Sequence, residues 1–246
     1  MENPMHAPRD RVAVRMSWTD LLFLHWPVDA ERLAAHLPEG LEIDTFDGCA
    51  WIALVPFRMT DCAFPGFGWV PGLNSFYECN VRTYVRAGGL SGVWFFSLDA
   101  ENLLPVLGGR WKWKLNYIHA RFEVSHDDGA HDYRLARRRG PWPAGSTSIS
   151  WRTGDAIPTA RPGTLEHFLT ERYWLFTRMK RGLFAGRIHH DPWPLRSATV
   201  ERVEDTLIDA AGFPSLTSGS PPSVLASTRI DVEGEPLVPI AEAQRS

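Results

Sequence analysis

The stretch FYECNVRTYVRAGGLSGVWFFSL, residues 76–98, decides how this chain folds. Two apolar-rich runs flank AGGLS at Ala87–Ser91, where consecutive glycines supply the positive φ that a tight hairpin turn requires. In the first run Tyr77, Cys79, Val81, Thr83 and Val85 share one face, and Phe76, Glu78, Asn80, Arg82, Tyr84 and Arg86 share the other. A row mixing charged, amide and aromatic side chains suits either solvent or the interior of a barrel that binds a polar ligand. Pattern alone leaves both open. The return run, GVWFFSL at Gly92–Leu98, is apolar on both faces and reads as a strand buried from two sides.

The hairpin signature recurs along the chain. Leu41–Phe46 and Ala50–Met59 flank Asp47-Gly48, Trp111–Ser125 and Tyr133–Arg138 flank DDGAH, and Trp174–Met179 and Leu183–His189 meet at KRG. Helical signals are few. Asp29 is placed to cap Ala30–Leu37, and Thr164 to cap Leu165–Tyr173, where Leu165, Phe168, Leu169 and Arg172 recur at helical spacing. Glu101–Gly109, interrupted by Pro105, and Thr206–Ala211 are the other helical candidates. Serial hairpins with so few helices predict a mainly β (α+β) protein, an antiparallel barrel or sandwich with short helices at its edges. A single domain over 16–240 accounts for these elements, with a flexible segment at 1–15 and a frayed tail at 241–246.

Composition narrows the class. A net charge of −3, with one dense basic cluster at Arg137–Arg139, gives no basic face for nucleic acid. Three cysteines (Cys49, Cys62 and Cys79) lack a C-x-x-C spacing and suit free thiols in a reducing compartment. Met1–Met16 shows no apolar core of a signal peptide, and the uncharged run Cys49–Phe57 is too short to cross a bilayer. A cytoplasmic protein is expected, with no membrane contact. Eleven tryptophans imply a densely packed core or an aromatic-lined cavity.

Chemistry-bearing candidates are sparse. In RWKWKLNYIHA, Arg110–Ala120, a lysine crowded by apolar neighbours would have the lowered pKa that carbonyl attack needs. Yet Trp111, Trp113, Leu115 and Tyr117 share one face, so Lys112 and Lys114 fall on the other, where water keeps an amine protonated. After Tyr117 the apolar set becomes Ile118, Ala120, Phe122 and Val124, a parity flip that signals a bulge or bend. His189 and His190 are adjacent in an extended run and point oppositely, so no metal is expected there. No phosphate-binding glycine loop or nucleophile elbow is present, and no cofactor is expected.

Five stretches, LLFLHWPVDAERLAAHLPEGLEIDTFDGCAWIALVPFRM, FYECNVRTYV, GVWFFSLDAENLL, GTLEHFLTERY and IHHDPWPL, resemble the YqjF-like bacterial family of unknown function. The resemblance spans about Trp18 to Pro239. That family looks like a distant relative of acetoacetate decarboxylase, which implies a closed, mainly antiparallel β-barrel with a few short peripheral helices. Decarboxylases of this superfamily place a Schiff-base lysine after a Phe-Pro pair, seven positions beyond an arginine. Counted from Arg110, that position is Tyr117, preceded by Leu115-Asn116 where the YqjF-like pattern has Leu-Pro. The decarboxylase glutamate matches Glu78, whereas the anion-binding arginine falls at Thr19-Asp20-Leu21 and is absent.

The resemblance implies that Glu78, Asn80, Arg82 and Tyr84 face the barrel interior. Tyr117 and Glu78 are then candidate acid–base residues, and Arg82, Asn80, Arg110 and Trp113 candidate substrate-binding residues. A small organic acid or carbonyl compound is the expected ligand. The alternatives are a non-catalytic binding barrel, a hydrogen-bonded network without chemistry, or an imine-forming decarboxylase- or aldolase-type enzyme using Lys112 or Lys114. Sheet edges could pair two chains into a homodimer.

Overall fold

The computed structural model describes residues 11–66, 68, 69, 74–102 and 114–245. Its strands in chain order are β1 (Val14–Val28), β2 (Glu42–Ile43), β3 (Ala50–Phe64), β4 (Gly68–Trp69), β5 (Ser75–Ala87), β6 (Leu90–Ala100) and β7 (Tyr117–Asp127). They continue as β8 (Ala130–Arg137), β9 (Ser146–Ala156), β10 (Trp174–Met179), β11 (Gly182–His189), β12 (Leu195–Asp205), β13 (Ser223–Gly234) and β14 (Val238–Pro239). The α-helices among these residues are short: α1 (Ala30–Ala34), α2 (Leu165–Thr170), α3 (Leu207–Ala210) and α4 (Ile240–Ala243).

The local signals explain most of these boundaries. Gly88 and Gly89 turn β5 into β6 at φ of 59° and 79°, and Asp47 and Gly48 turn at 48° and 78°. The Asp47-Gly48 turn joins only a Phe46–Cys49 bridge, because β2 leaves it to pair with β5. Asp29 accepts the Arg32 N–H at 2.8 Å and Thr164 accepts that of His167 at 3.3 Å, as expected of caps. Both helices end about one turn early, α2 because the chain must become strand at Trp174. Strand β7 begins only at Tyr117, and Lys114 sits at a φ of 52°, so the parity flip marks a true entry into the sheet. In the stretch read as a frayed tail, α4 buries Ala243, and Gln244 donates to the Gly88 carbonyl at 2.6 Å.

The sheet closes on itself twice. Hydrogen-bonded neighbours run β6-β7-β8-β9-β12-β13-β1-β3-β5 and back to β6, a ring of nine strands. Strands β10 and β11 join β6 to β13 by a second route and close a smaller ring of seven. The expected closed barrel is therefore present, with β13, β1, β3, β5 and β6 as a wall common to both rings. Pairing is antiparallel except at β6–β7 and β6–β10, two parallel joints that hairpin reasoning could not supply. Gly92 permits the second joint: a Cβ there would lie 2.3 Å from the Trp174 carbonyl oxygen.

A wall shared by two rings has no solvent face, and its alternation sorts residues between two cores. Leu21, Phe23, Ala53, Val55, Phe57 and Phe76 pack in the smaller ring, while Leu22, Leu24, Ile52, Leu54, Cys79 and Val81 pack in the larger. Two aspartates at positive φ reset the alternation. Asp20 (51°) lets Met16 and Trp18 face the same way as Leu21 and Phe23, and Asp61 (55°) does the same for Met59 and Cys62.

Candidate functional site

The smaller ring holds a cavity of about 220 Å³. Its wall is mostly apolar, with Trp18, Phe57, Met59, Phe76, Phe95 and Trp193 prominent. The alternation of β5 delivers Glu78, Asn80 and Arg82 to this interior and turns Cys79 and Val81 away. Of the two readings open to that row, the cavity is the observed one for Phe76, Glu78, Asn80 and Arg82, whereas Arg86 at its far end is exposed to solvent. Register then brings Tyr117 alongside, because Tyr117 pairs with Leu98 and Leu98 with Asn80. Two strand spacings, roughly 10 Å, are what a tyrosine and a glutamate together can span.

Glu78 is 1% exposed and shares a hydrogen bond with the Tyr117 hydroxyl and another with Asn80. Burial, reinforced by the nearby Asp99 carboxylate, pushes its carboxyl up to about 8 against the pull of those hydrogen bonds. Burial and the facing Glu78 likewise hold the Tyr117 phenol well above its ordinary value. At neutral pH both groups keep their protons. Asp99 lies on the opposite side of the wall, where Arg137 grips it at 2.7 and 3.0 Å.

Arg82, 8% exposed, lies over the Phe23 ring at 5.3 Å and the Tyr84 ring at 5.9 Å. Its Nη2 reaches the Leu169 carbonyl at 3.5 Å, and no carboxylate pairs with it among the described residues. The Tyr84 hydroxyl donates to the same carbonyl at 2.9 Å and lies 2.8 Å from His25 Nε2. Burial and the Arg82 charge hold His25 well below the usual histidine range, so this backing histidine is neutral. Three buried atoms on alternate residues of β5 have no hydrogen-bond partner: Glu78 Oε2, Asn80 Oδ1 and Arg82 Nε. Orphaned buried polar atoms are rare in folded proteins, and these three fall in one row of residues lining one cavity.

Other groups line the cavity as well. Arg172, read as one position of a helical stripe, lies past the end of α2 with its guanidinium 4.1 Å from the Phe168 centroid, and Asp44 takes its charge at 2.6 Å. His190 lines the cavity beside Trp193, whereas His189 turns to Glu235 at 2.6 Å, so the adjacent histidines do face different partners. Cys62 also lines it, but burial pushes its thiol up to about 12 and leaves it unreactive. None of these has a local signal, since each reaches the cavity through long-range pairing or a bulge.

Arg110, Trp113 and Lys112 lie outside the described residues. Lys114 is exposed and borders clefts on the outer surface, not the cavity. At Thr19-Asp20-Leu21 stands the Asp20 bulge, with the Thr19 hydroxyl donating to the Arg58 carbonyl at 3.2 Å. Among the described residues no group of three His, Cys, Asp or Glu side chains is placed to hold a metal ion. No helix among them is long and apolar enough to cross a membrane.

The profile of the DUF2071 family, described as an uncharacterized conserved protein, matches residues 15–231. The uncharacterized protein YqjF of Bacillus subtilis (strain 168) is 40% identical over 200 residues, covering 81% of this chain and 82% of that one. Among solved structures, acetoacetate decarboxylase from Legionella pneumophila superposes with a TM-score of 0.57 at 15% identity, covering 95% of this chain and 92% of that one. The enduracididine biosynthesis enzyme MppR, complexed with pyruvate, superposes with a TM-score of 0.51 at 15% identity, covering 96% and 91%.

Proposed function

The chain belongs to the DUF2071 family and has the acetoacetate decarboxylase-like fold, and from that footing we propose that it binds a small organic acid bearing a carbonyl group in the smaller ring and acts on it by proton transfer. The observation that carries this reading is the row of unpartnered atoms on Glu78, Asn80 and Arg82 beside Tyr117. Each supplies one part. The Arg82 guanidinium holds a carboxylate, the Asn80 amide oxygen accepts from a hydroxyl, and the Glu78–Tyr117 pair receives the carbonyl oxygen. Held at about 8, the Glu78 carboxyl is ionised in a minor share of molecules at neutral pH. That carboxylate takes the proton from the carbon next to the carbonyl while the Tyr117 hydroxyl donates a hydrogen bond to the carbonyl oxygen, then exchanges it with solvent and returns a proton to the same carbon. Pyruvate in the MppR complex shows that a relative of this fold accepts a ligand of this chemistry. No amine lines the cavity among the described residues, so the proposed route stays free of an imine.

The test is exchange of ligand protons next to the carbonyl in deuterated water, with 2-oxo acids that first raise the melting midpoint. Wild type is expected to speed exchange, and Tyr117→Phe to lose about 10²- to 10⁴-fold of that rate while still binding. Stabilisation without exchange in either protein would make the barrel a binder. Absence of any stabilisation by carbonyl acids would remove the proposal altogether.

A further inference from the structure

Two tryptophans of the cavity wall, Trp18 and Trp193, each bury an indole N–H that has no hydrogen-bond partner. A chain of ring contacts through Phe23 links them to Arg82. Trp193 packs edge-on to Phe23 at 5.0 Å, Arg82 lies over that same ring at 5.3 Å, and Trp18 stacks on Trp193 at 5.9 Å. Trp193 is 2% exposed, and Glu171 fixes its backbone by accepting the N–H at 3.0 Å. An indole N–H can only donate, so an orphaned pair of them beside an orphaned guanidinium Nε–H forms a set of donors with no acceptor. Such a set is complementary to an anion, and the cost of burying it is relieved only when one binds.

The carboxylates of the cavity do not oppose this. Glu78 keeps its proton at neutral pH, and Glu235 is engaged by His189 at 2.6 Å. Arg172, the other cation of the wall, is held by Asp44 at 2.6 Å, and beyond Asn80, Tyr117, Thr170 and His190 the wall is mostly apolar, from Met16 and Val55 to Phe76 and Leu98, so the body of the bound acid is mostly apolar too.

We propose that Trp18, Trp193 and Arg82 form an anion receptor, which makes the ligand class of this cavity a monocarboxylate with an apolar body. This rests on the proposed function and adds the two tryptophans as binding residues.

Titration calorimetry with 2-oxohexanoate and its methyl ester tests the receptor. The acid is expected to bind at least tenfold more tightly than the ester, since a hydrogen bond to a charged group is worth about one to two decades of affinity. Trp193→Phe and Trp18→Phe keep a ring and lose the N–H. Each is expected to weaken the acid about tenfold and leave the ester within twofold. Trp18 is the more exposed of the pair, so Trp18→Phe carries the test should Trp193→Phe fail to fold. Equal affinity for acid and ester in wild type, or full acid preference in the folded Trp→Phe variants, would overturn the receptor. Ester binding with Tyr117-dependent exchange but no acid preference would overturn the receptor alone, whereas failure of both ligands to bind would overturn the proposed function with it.

Discussion

At the scale of single residues, Glu78 couples the site to the stability of the protein. Its carboxyl sits at about 8 in the folded chain and near 4.5 when exposed, so between those values the folded state holds a proton that the unfolded state has lost. Stability from this group is therefore full below about pH 4.5 and declines as pH rises to about 8, by roughly 1.4 kcal/mol per pH unit. Glu78→Gln removes the ionisation, and the difference in unfolding free energy between variant and wild type is expected to grow with pH across that window and then level off. Urea titrations at four pH values measure it, and a difference independent of pH would place the carboxyl in a solvated setting. The Arg137–Asp99 pair behaves differently. Its side chains are 3% and 0% exposed, and Arg137→Met is expected to cost about 3–5 kcal/mol by stranding the Asp99 charge.

At the scale of elements, the bulges govern what each strand shows to the cavity. Replacing Asp20 by glycine keeps the positive φ and is expected to change the unfolding free energy from urea titration by less than about 1 kcal/mol. Deleting Asp20 would instead turn Met16 and Trp18 out of the smaller ring and is expected to abolish a cooperative transition in the same urea titration. The strands themselves were legible, because glycine turns and alternation are local: β5 and β6 could be drawn from residues 76–98 before any contact was known. Asp20 and Asp61 were not legible as bulges, since an aspartate in a strand looks like an ordinary exposed residue. The row Glu78-Asn80-Arg82 could be assigned to one face but not to an inside, because a pattern of alternation contains no information about what covers the face. The resemblance to a known barrel supplied that, and it led to Tyr117 as well. The tryptophans stayed hidden because their value lies in donors left unpaired, which only contacts disclose.

At the scale of the molecule, two rings share five strands, so neither core can open without exposing one face of the common wall. Ile149→Ala, in the larger core and far from the cavity, is expected to cost about 2–5 kcal/mol and to shift a single transition seen alike by tryptophan fluorescence and circular dichroism. Two separated transitions would mean that the rings melt apart. The seam between β1 and β13 also fixes a schedule. Strand β1 ends at Val28 and its partner begins at Ser223, a lag of 195 residues. At ribosomal rates of about 5–20 residues per second, β1 waits roughly 10–40 s with its β13 edge uncovered. The nascent chain therefore has strands and turns long before it has an interior, and a carboxylate ligand could assist only the last step of its folding.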